Sequence, residues 1–230
     1  MLVKDWMSGT VISIEANAPV SEAIDLLAKN TISMLPVVKK GRLVGVISDM
    51  DLKPYASPLG FTISTSEPSL LLARIKVQDI MSKPAITVPT DYTVEETARV
   101  LSTNRISGVV VVDENNQIAG VMSQTDVNRV MVYVTGLRMG GIVFGLRLKE
   151  APGSVKEITD IFRSYGGRIA SILTSSEKVA KGYRKVHIRI RGLDRRNLPQ
   201  LKEELKTKAP LLYVVDSRQG TREIFETSAD

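Results

Sequence analysis

The chain has no cysteine and a single histidine, His187, among 230 residues. Without cysteine there can be no disulfide and no thiolate-bound metal, and one imidazole leaves little scope for histidine-based metal or acid–base chemistry. No apolar run approaches the roughly 18 residues that a membrane span needs, and the start of the sequence lacks the charged and then apolar segments of a signal peptide. We therefore expect a cytoplasmic protein that does not associate with a membrane.

The motifs of common enzyme classes are also missing. The sequence contains no G-x-x-x-x-G-K-[ST] phosphate loop, no nucleophile elbow and no cluster of metal ligands. His187 stands between Val186 and Ile188 in an alternating apolar segment, which favours a structural role over catalysis. The sequence therefore predicts no catalytic residue, no metal site and no cofactor that acts as a catalyst, and we expect that the protein is not an enzyme.

The net positive charge is concentrated in the last part of the chain. Residues 1–140 contain 13 Lys and Arg against 14 Asp and Glu, whereas residues 141–230 contain 18 against 11. Such an asymmetry can mark a surface for nucleic acid or an acidic partner. No helix-turn-helix pattern or interleaving of basic and aromatic residues accompanies it, so a solvated basic face is favoured over nucleic-acid binding.

The most informative feature that is present is an internal repeat. Gly-Val-Ile-Ser-Asp-Met-Asp at 45–51 returns as Gly-Val-Met-Ser-Gln-Thr-Asp at 120–126. Upstream, 3–8 matches 77–82 and 32–38 matches 106–112. The offset is 74 residues in the early matches and 75 in the late one, so one residue is inserted between them. A repeat of this length indicates two copies of one structural unit.

Each repeat predicts the same order of elements. A short strand (11–14 and 85–88) leads to a helix, and two strands joined by a turn and a further helix follow. Thr93 is the predicted N-cap of the helix in the second repeat, because Glu96 completes a capping box three residues later. Residues 61–76, between the repeats, predict a connecting loop and a short helix.

From Gly140 the pattern changes to strand–helix–strand–strand–helix–strand. Alternating apolar residues predict strands at 142–148, 169–174, 186–190 and 211–215, and helical spacing predicts helices from 154 to about 165 and over 198–206. This order is that of a ferredoxin-like sandwich. Residues 217–230 predict a flexible tail.

These motifs resemble two known domain families. The Gly-apolar-apolar-Ser-x-x-Asp stretches, the Asp-apolar-Met-Ser openings at 5 and 79 and the paired Ile-Ser segments resemble a tandem pair of CBS domains, the Bateman module. Residues 141–216 resemble an ACT domain, and the order CBS-CBS-ACT is similar to the acetoin utilisation protein family. The implied fold class is α/β (α+β), with CBS domains at 1–60 and 77–138, the connector at 61–76, a ferredoxin-like ACT-like domain at 139–216 and the tail at 217–230.

The Ser-x-x-Asp pair in each repeat has two interpretations. An aspartate in the first turn of a helix is an N-terminal capping residue. It is also a good acceptor for the two adjacent hydroxyls of a ribose, while the serine hydroxyl and the helix N–H groups suit phosphate oxygens. The occurrence of the pair at two strand-to-helix junctions favours binding of an adenosine ligand by at least one site.

The resemblance to CBS pairs implies two clefts related by a pseudo-twofold axis, each with ribose and phosphate contacts from one repeat and adenine contacts from the other. The first would combine Ser123 and Asp126 with Ser8, Ile12, Ile32 and Ser33. The second would combine Ser48 and Asp51 with Ser82, Ile86, Ile106 and Ser107. Taken alone, the four isoleucines indicate ordinary core positions. Arg105, where the first repeat has Thr31, would favour the more phosphorylated ligand in the second cleft.

The resemblance to ACT domains implies an amino-acid site at a dimer interface, formed here by Pro152, Gly153 and Ser154. Gly153 lets a carboxylate approach the backbone at a helix N-terminus. Ala151 stands where many ligand-binding members carry Asp or Asn, so the expected partner for an ammonium group is missing. The alternative is a domain that only dimerises.

The function that these patterns favour is a non-enzymatic sensor. Adenine nucleotide (AMP, ADP or ATP) or an S-adenosyl compound would bind in the CBS clefts of a homodimer or larger homo-oligomer that acts on a regulated protein. The alternative is a structural dimerisation scaffold with degenerate ligand sites, against which the presence of both Ser-x-x-Asp pairs argues.

Overall fold

The computed structural model describes residues 1–55 and 74–225. The chain forms two compact units, Met1–Asn128 and Arg129–Asp230, whereas the sequence predicts the end of the second repeat at 138. Most of the connector predicted for 61–76 lies outside the described residues. In the two described ranges, no helix is long and apolar enough to cross a membrane.

The first repeat is a three-stranded sheet with one long helix. Its elements are β1 (Ile14–Glu15), α1 (Val20–Asn30), β2 (Met34–Lys39), β3 (Arg42–Ser48) and α2 (Asp49–Leu52). β1 is parallel to β2, and β2 is antiparallel to β3. The buried residues of α1 are Val20, Ala23 and Leu27, whose helical spacing places them on one face, where they join the core formed with the strands.

The second repeat has the same arrangement, as the sequence predicts. Its elements are α3 (Val77–Ile80), β4 (Thr87–Pro89), α4 (Val94–Asn104), β5 (Gly108–Val112), β6 (Ile118–Ser123) and α5 (Gln124–Val134). β4 is parallel to β5, and β5 is antiparallel to β6. The predicted capping box at α4 is confirmed: Thr93 Oγ1 accepts a hydrogen bond of 3.1 Å from Glu96 N, and Thr93 N donates one of 2.8 Å to Glu96 Oε2.

The inserted residue lies in a hairpin turn. In the first repeat Val38 pairs with Leu43 across the turn, whereas in the second Val112 pairs with Ile118. The turn in the second repeat is therefore one residue longer. This accounts for the change of offset without any change in the strands on either side.

The segment before each repeat, which we call its leading segment (residues 1–8 and 75–82), packs on the other repeat. Ser8 and Val121 exchange two backbone hydrogen bonds, of 2.9 and 3.1 Å, so the first leading segment lies beside β6. Ser82 and Val46 exchange bonds of 2.9 and 3.0 Å, so the second lies beside β3. The two repeats are thus completed reciprocally, in agreement with a pseudo-twofold relationship.

The glycine that opens each repeated motif is explained by this packing. A Cβ atom on Gly45 would lie 2.8 Å from the carbonyl oxygen of Ser82, and one on Gly120 would lie 2.9 Å from that of Ser8. Real Cβ atoms do not approach backbone oxygens so closely. Glycine is therefore required, because the backbone of the leading segment contacts the strand too closely for a side chain at this position.

The C-terminal unit is a five-stranded antiparallel sheet with two helices. Its elements are β7 (Ile142–Lys149), α6 (Ser154–Ser164), β8 (Arg168–Ser175), β9 (Tyr183–Arg191), α7 (Leu198–Lys208), β10 (Leu211–Asp216) and β11 (Thr221–Ile224). The strand order is β11-β10-β7-β9-β8. The elements from β7 to β10 follow the strand–helix–strand–strand–helix–strand order that the sequence predicts.

The prediction of a flexible tail from Ser217 is wrong for part of that segment. Thr221–Ile224 forms β11 and pairs with β10, with Thr221 opposite Asp216 and Ile224 opposite Tyr213. The free edge of β10 supplies hydrogen-bonding groups that a local sequence pattern does not reveal.

The core of the C-terminal unit lies between one face of its sheet and both helices. Alternate residues of β7 are buried there with residues of α6 and α7. Phe144 of β7 and Phe162 of α6 are both fully buried, and their ring centroids are 4.8 Å apart. The opposite face of the sheet carries the intervening residues, including His187.

Candidate functional site

The repeated serine and aspartate form a capping box at each strand-to-helix junction. Ser48 N donates a hydrogen bond of 2.8 Å to Asp51 Oδ2, and Ser48 Oγ donates one of 2.6 Å to the same oxygen. Ser123 and Asp126 repeat these bonds at 2.8 and 2.7 Å. Both aspartates are therefore capping residues, so the structural interpretation of the motif is correct in each copy. Capping holds each carboxylate in place but does not exhaust its capacity as an acceptor.

The first predicted cleft, here the Asp126 cleft, is a cavity of about 610 Å³. Ser123 and Asp126 line it from the end of β6. The residues from the other half that line it include all four predicted for it, namely Ser8, Ile12, Ile32 and Ser33. The structure thus brings together all six residues that were assigned to this cleft.

The second predicted cleft, here the Asp51 cleft, is a smaller cavity of about 260 Å³. Its lining includes Ser48 and Asp51, and from the other half Ser82, Ile86, Ile106 and Ser107. Arg105 also lines it. All seven residues predicted for this cleft are therefore at one cavity.

The two clefts differ in volume, and the repeats that form them differ at a position beside both cavities. Met34 of the first repeat corresponds to Gly108 of the second, and Met34 lines both cavities. A side chain on Gly108 would overlap the Met34 sulfur, so the methionine fills the space that the glycine leaves. In addition, Ser82 Oγ donates a hydrogen bond of 3.0 Å to Asp51 Oδ1. Met34 therefore occupies space beside both cavities, and the bond between Ser82 and Asp51 joins two walls of the Asp51 cleft.

The charge of the clefts also differs. Among the described residues, Asp49 and Asp126 line the Asp126 cleft, and its lining contains no Lys or Arg. The Asp51 cleft is lined by Asp51 and Arg105. Arg105 ends α4 in the left-handed backbone conformation, with a φ of 55°, as Thr31 ends α1 with a φ of 53°. The same backbone position is therefore cationic beside one cleft and neutral beside the other.

The Ile-Ser segments are tied to the capping boxes by backbone hydrogen bonds. Asp49 N donates a hydrogen bond of 3.0 Å to Ser33 O, and Gln124 N donates one of 2.8 Å to Ser107 O. These bonds fix each Ile-Ser segment beside the junction of its own repeat. They fix the position of the Ile-Ser segment relative to the Ser-x-x-Asp motif within each repeat. The walls of each cleft, by contrast, come from both repeats.

Several lining residues were not predicted from the sequence. The Asp126 cleft also contains Thr10, Asp49 and Thr125, and the Asp51 cleft contains Met50 and Pro84. Each lies within two residues of a predicted position. Their proximity to the predicted residues along the sequence could have suggested them. The sequence pattern does not show which neighbouring side chains face the cavity.

A third cavity, of about 700 Å³, contains the three predicted amino-acid-binding residues Pro152, Gly153 and Ser154. Gly153 precedes α6 with a φ of 86°, a conformation that favours glycine. Ala151 lines the same cavity and offers no side-chain acceptor. Its acidic lining residue, Glu157, forms a 3.1 Å ion pair with Lys208. The basic lining residues are Arg147, Lys149 and Lys208.

His187 lies on the sheet face away from the helices. Its Nδ1 and the Tyr213 hydroxyl are hydrogen-bonded to each other at 2.7 Å. Burial lowers the pKa of His187, and the nearby charge of Lys185 lowers it further. Within the described residues, no group of three or more His, Asp or Glu side chains is placed to hold a metal ion.

Comparison with protein families matches the CBS domain twice, at residues 3–57 and 77–133. The chain contains a tandem pair of CBS domains. The matched segments include residues 3–8 and 77–82 of the leading segments and both Ser-x-x-Asp motifs. The resemblance inferred from the repeats is therefore confirmed for the CBS pair.

Individual relatives match the same part of the chain. L-aspartate semialdehyde sulfurtransferase of Methanocaldococcus jannaschii is 31% identical over 129 residues, which are 56% of this chain and 23% of that enzyme. A CBS domain-containing protein of Dictyostelium discoideum is 29% identical over 136 residues, 58% of this chain and 93% of that protein. A second M. jannaschii protein is covered over 45% of its length, so the chain spans less than half of both M. jannaschii relatives.

A solved CBS domain pair is also similar. It was determined in complex with 5′-methylthioadenosine and S-adenosyl-L-methionine, and it is 30% identical to this chain with a TM-score of 0.47. The match covers 57% of this chain and 99% of that one.

Proposed function

We propose that this protein is a non-catalytic regulatory protein whose CBS pair binds an adenosine ligand. The observation that carries the proposal is the assembly of each cleft from both halves. The capped aspartate of one repeat faces a cavity whose other wall is the Ile-Ser segment and the leading serine of the other repeat. A ligand in such a cavity contacts both repeats at once, as a regulatory ligand must if its binding is to change their relationship.

The aspartate is the group that we assign to the ribose. A carboxylate offers about four acceptor sites, so it can accept hydrogen bonds from a ligand in addition to the capping bonds that Asp126 receives from Ser123. Further acceptor capacity suits the two adjacent hydroxyls of a ribose, which are donors at a matching spacing. Because capping fixes the orientation of the carboxylate before the ligand arrives, little conformational freedom is lost on binding.

The isoleucines are assigned to the purine. Ile12 and Ile32 line the Asp126 cleft at partly buried positions, and Ile86 and Ile106 line the Asp51 cleft. Apolar side chains on the walls of a cavity suit the faces of a base, and neighbouring backbone groups can read its edge.

The Asp126 cleft is the principal site in this proposal. Its volume of about 610 Å³ lies within the range of about 300–1,000 Å³ typical of small-molecule pockets. The Asp51 cleft, at about 260 Å³, would have to widen by moving Met34 or breaking the bond between Ser82 and Asp51. A ligand there gains Arg105 as a partner for phosphate, so the second cleft is assigned to the more phosphorylated compound.

The C-terminal unit is assigned as an ACT-like dimerisation domain. The strand order β10-β7-β9-β8 with two helices on one face is the ferredoxin-like arrangement that this assignment requires. Together with the CBS pair it supports membership of the acetoin utilisation protein family, with a homodimer in the cytoplasm that acts on a regulated protein. Weak or absent amino-acid binding follows from Ala151 and the ion-paired Glu157.

Calorimetry tests the proposal. AMP, ADP, ATP and S-adenosylmethionine are titrated into protein that mass spectrometry after denaturation shows to be free of carried-over ligand. We expect at least one of them to bind, and the Asp51→Ala/Asp126→Ala variant to bind it at least about tenfold more weakly. If none binds, the clefts are degenerate and the scaffold function replaces the sensor.

A further inference from the structure

One end of the C-terminal sheet contains an arginine pocket, a cavity of about 500 Å³. Its four arginines are Arg138, Arg191, Arg195 and Arg218. They come from the turn before β7, the end of β9, the turn before α7 and the turn after β10. The amino-acid cavity at Gly153 lies beyond the other end of β7, so the two are separate, and the arginine pocket does not depend on the CBS clefts.

The pocket has a large excess of positive charge. Its described lining contains no Asp or Glu. Arg195 is compensated from behind by Asp216, which is 1% exposed and accepts hydrogen bonds of 2.5 and 2.9 Å from the guanidinium. No ion pair among the described residues compensates Arg138, Arg191 or Arg218. Three guanidinium groups therefore share one cavity without a carboxylate.

Arg191 provides a second and independent indication. Its Nε–H is buried and has no hydrogen-bond partner among the described residues. A buried donor without an acceptor is unfavourable, and a buried cationic one more so. An anion in the pocket would reduce the repulsion between the arginines, and it would give the Arg191 guanidinium an acceptor once that side chain turned toward the cavity.

The backbone of the pocket allows a close approach. Gly140 and Gly192 line it with φ values of 68° and 74°, and a Cβ atom on either would meet open space or only a distant backbone oxygen. Guanidinium groups bind phosphate oxygens through paired hydrogen bonds. Arginine, and not lysine, is the basic residue throughout this lining.

We propose that the arginine pocket binds a small phosphate-bearing ligand, in particular one with two adjacent phosphoryl groups. The charge is gathered in one concave site, whereas a nucleic-acid surface carries it along a face or a helix. No aromatic residue is present in the described lining, so there is no platform on which bases could stack. Both features favour a compact anion over an oligonucleotide.

The test is titration calorimetry of the full chain with inorganic pyrophosphate, with phosphate and succinate as comparison anions. We expect saturable binding of pyrophosphate, weaker binding of phosphate and little binding of succinate. Arg191→Gln and Arg218→Gln should each weaken pyrophosphate binding by about tenfold or more, the effect of losing a charge-assisted hydrogen bond. Arg218 is exposed, so its variant separates loss of binding from loss of folding, which thermal unfolding checks in both.

Two matched controls locate the site. Arg163→Gln removes an exposed arginine of α6 that pairs with Asp160 and should leave binding unchanged. Arg105→Gln removes the residue that we assign to phosphate in the Asp51 cleft, so it reports any pyrophosphate that binds in that cleft and not in the arginine pocket. Loss of binding in Arg105→Gln with retention in Arg191→Gln would place the anion in the CBS pair and overturn the proposal. Equal binding of succinate, or binding of a 20-nucleotide single strand without binding of pyrophosphate, would overturn it as well.

Discussion

Replacing Asp126 by Ala should weaken ligand binding and destabilise the N-terminal unit, and a second capping box in the same unit allows the two effects to be separated. Asp126 accepts bonds from Ser123 N and Ser123 Oγ at the start of α5. Thr93 and Glu96 form the corresponding box at the start of α4, and neither lines a cleft cavity. Thr93→Ala is therefore the matched control.

The expected loss of stability is similar in the two variants. Removing a capping interaction costs about 0.5–2 kcal/mol, and in Asp126→Ala the part-buried Ser123 N–H also loses its acceptor. We expect the free energy of unfolding to decrease by about 1–2 kcal/mol in each variant. For a chain of this length, each kcal/mol lowers the midpoint of thermal unfolding by roughly 2–4 °C.

The expected loss of affinity differs. Asp126→Ala removes a charged acceptor from the ribose hydroxyls, which should cost about 1.5–3 kcal/mol of binding free energy. Thr93→Ala should change the dissociation constant by less than about twofold, because Thr93 lines neither cleft. The assay is calorimetry at a temperature where both variants are fully folded, beside thermal unfolding without ligand.

Two results would refute this reasoning. If Thr93→Ala weakens binding as much as Asp126→Ala does, affinity follows the stability of the unit and not the carboxylate. If Asp126→Ala loses stability but keeps its affinity, the aspartate is a capping residue alone. Asp51→Ala, measured in the same way, then shows whether the narrower cleft contributes to the binding that is observed.

Four further predictions concern the C-terminal unit. Asp216→Asn should lower the free energy of unfolding by about 1.5–3 kcal/mol in chemical denaturation, because it removes the charge from the buried acceptor of the Arg195 guanidinium; a change below about 1 kcal/mol would contradict this. Burial holds the pKa of His187 below 6.5, so the unfolded chain binds more protons just below that pH, and stability should fall on acidification in wild type but less in His187→Gln. Light scattering at micromolar concentration should give the mass of a homodimer or a larger assembly, and a single-chain mass would refute the dimerisation role. A thermal-shift screen should find weak or no amino-acid binding, whereas tight binding that is lost in Gly153→Val would show that another residue replaces the missing acceptor.

Local patterns predicted the elements that depend on nearby residues. The capping box at Thr93 and Glu96 involves two residues in one turn, and the helical spacing of Val20, Ala23 and Leu27 reflects the burial of a single face. Such features are encoded in a few adjacent positions, so the sequence alone was sufficient for them.

The membership of the clefts could not be obtained in the same way. Ser8 reaches the Asp126 cleft because its backbone pairs with Val121, more than a hundred residues along the chain, and no local pattern encodes that pairing. It was predicted only because the motifs resemble a known domain pair. The strand at Thr221–Ile224 was missed for a related reason, since it is stabilised by the edge of β10 and not by its own composition.

The exchange of leading segments makes the N-terminal unit a single thermodynamic entity. Val77, in the second leading segment, is fully buried in the core of the first repeat, so a truncation that removes it would leave that core open. Neither repeat should fold alone, and residues 1–128 should unfold in one cooperative transition. A ligand in either cleft then stabilises the whole unit against unfolding. The reason is that detachment of one leading segment disrupts both the wall of a cleft and the core of a repeat. Binding in one cleft would therefore increase the affinity of the other, because both sites stabilise the same folded unit, even without a change of conformation.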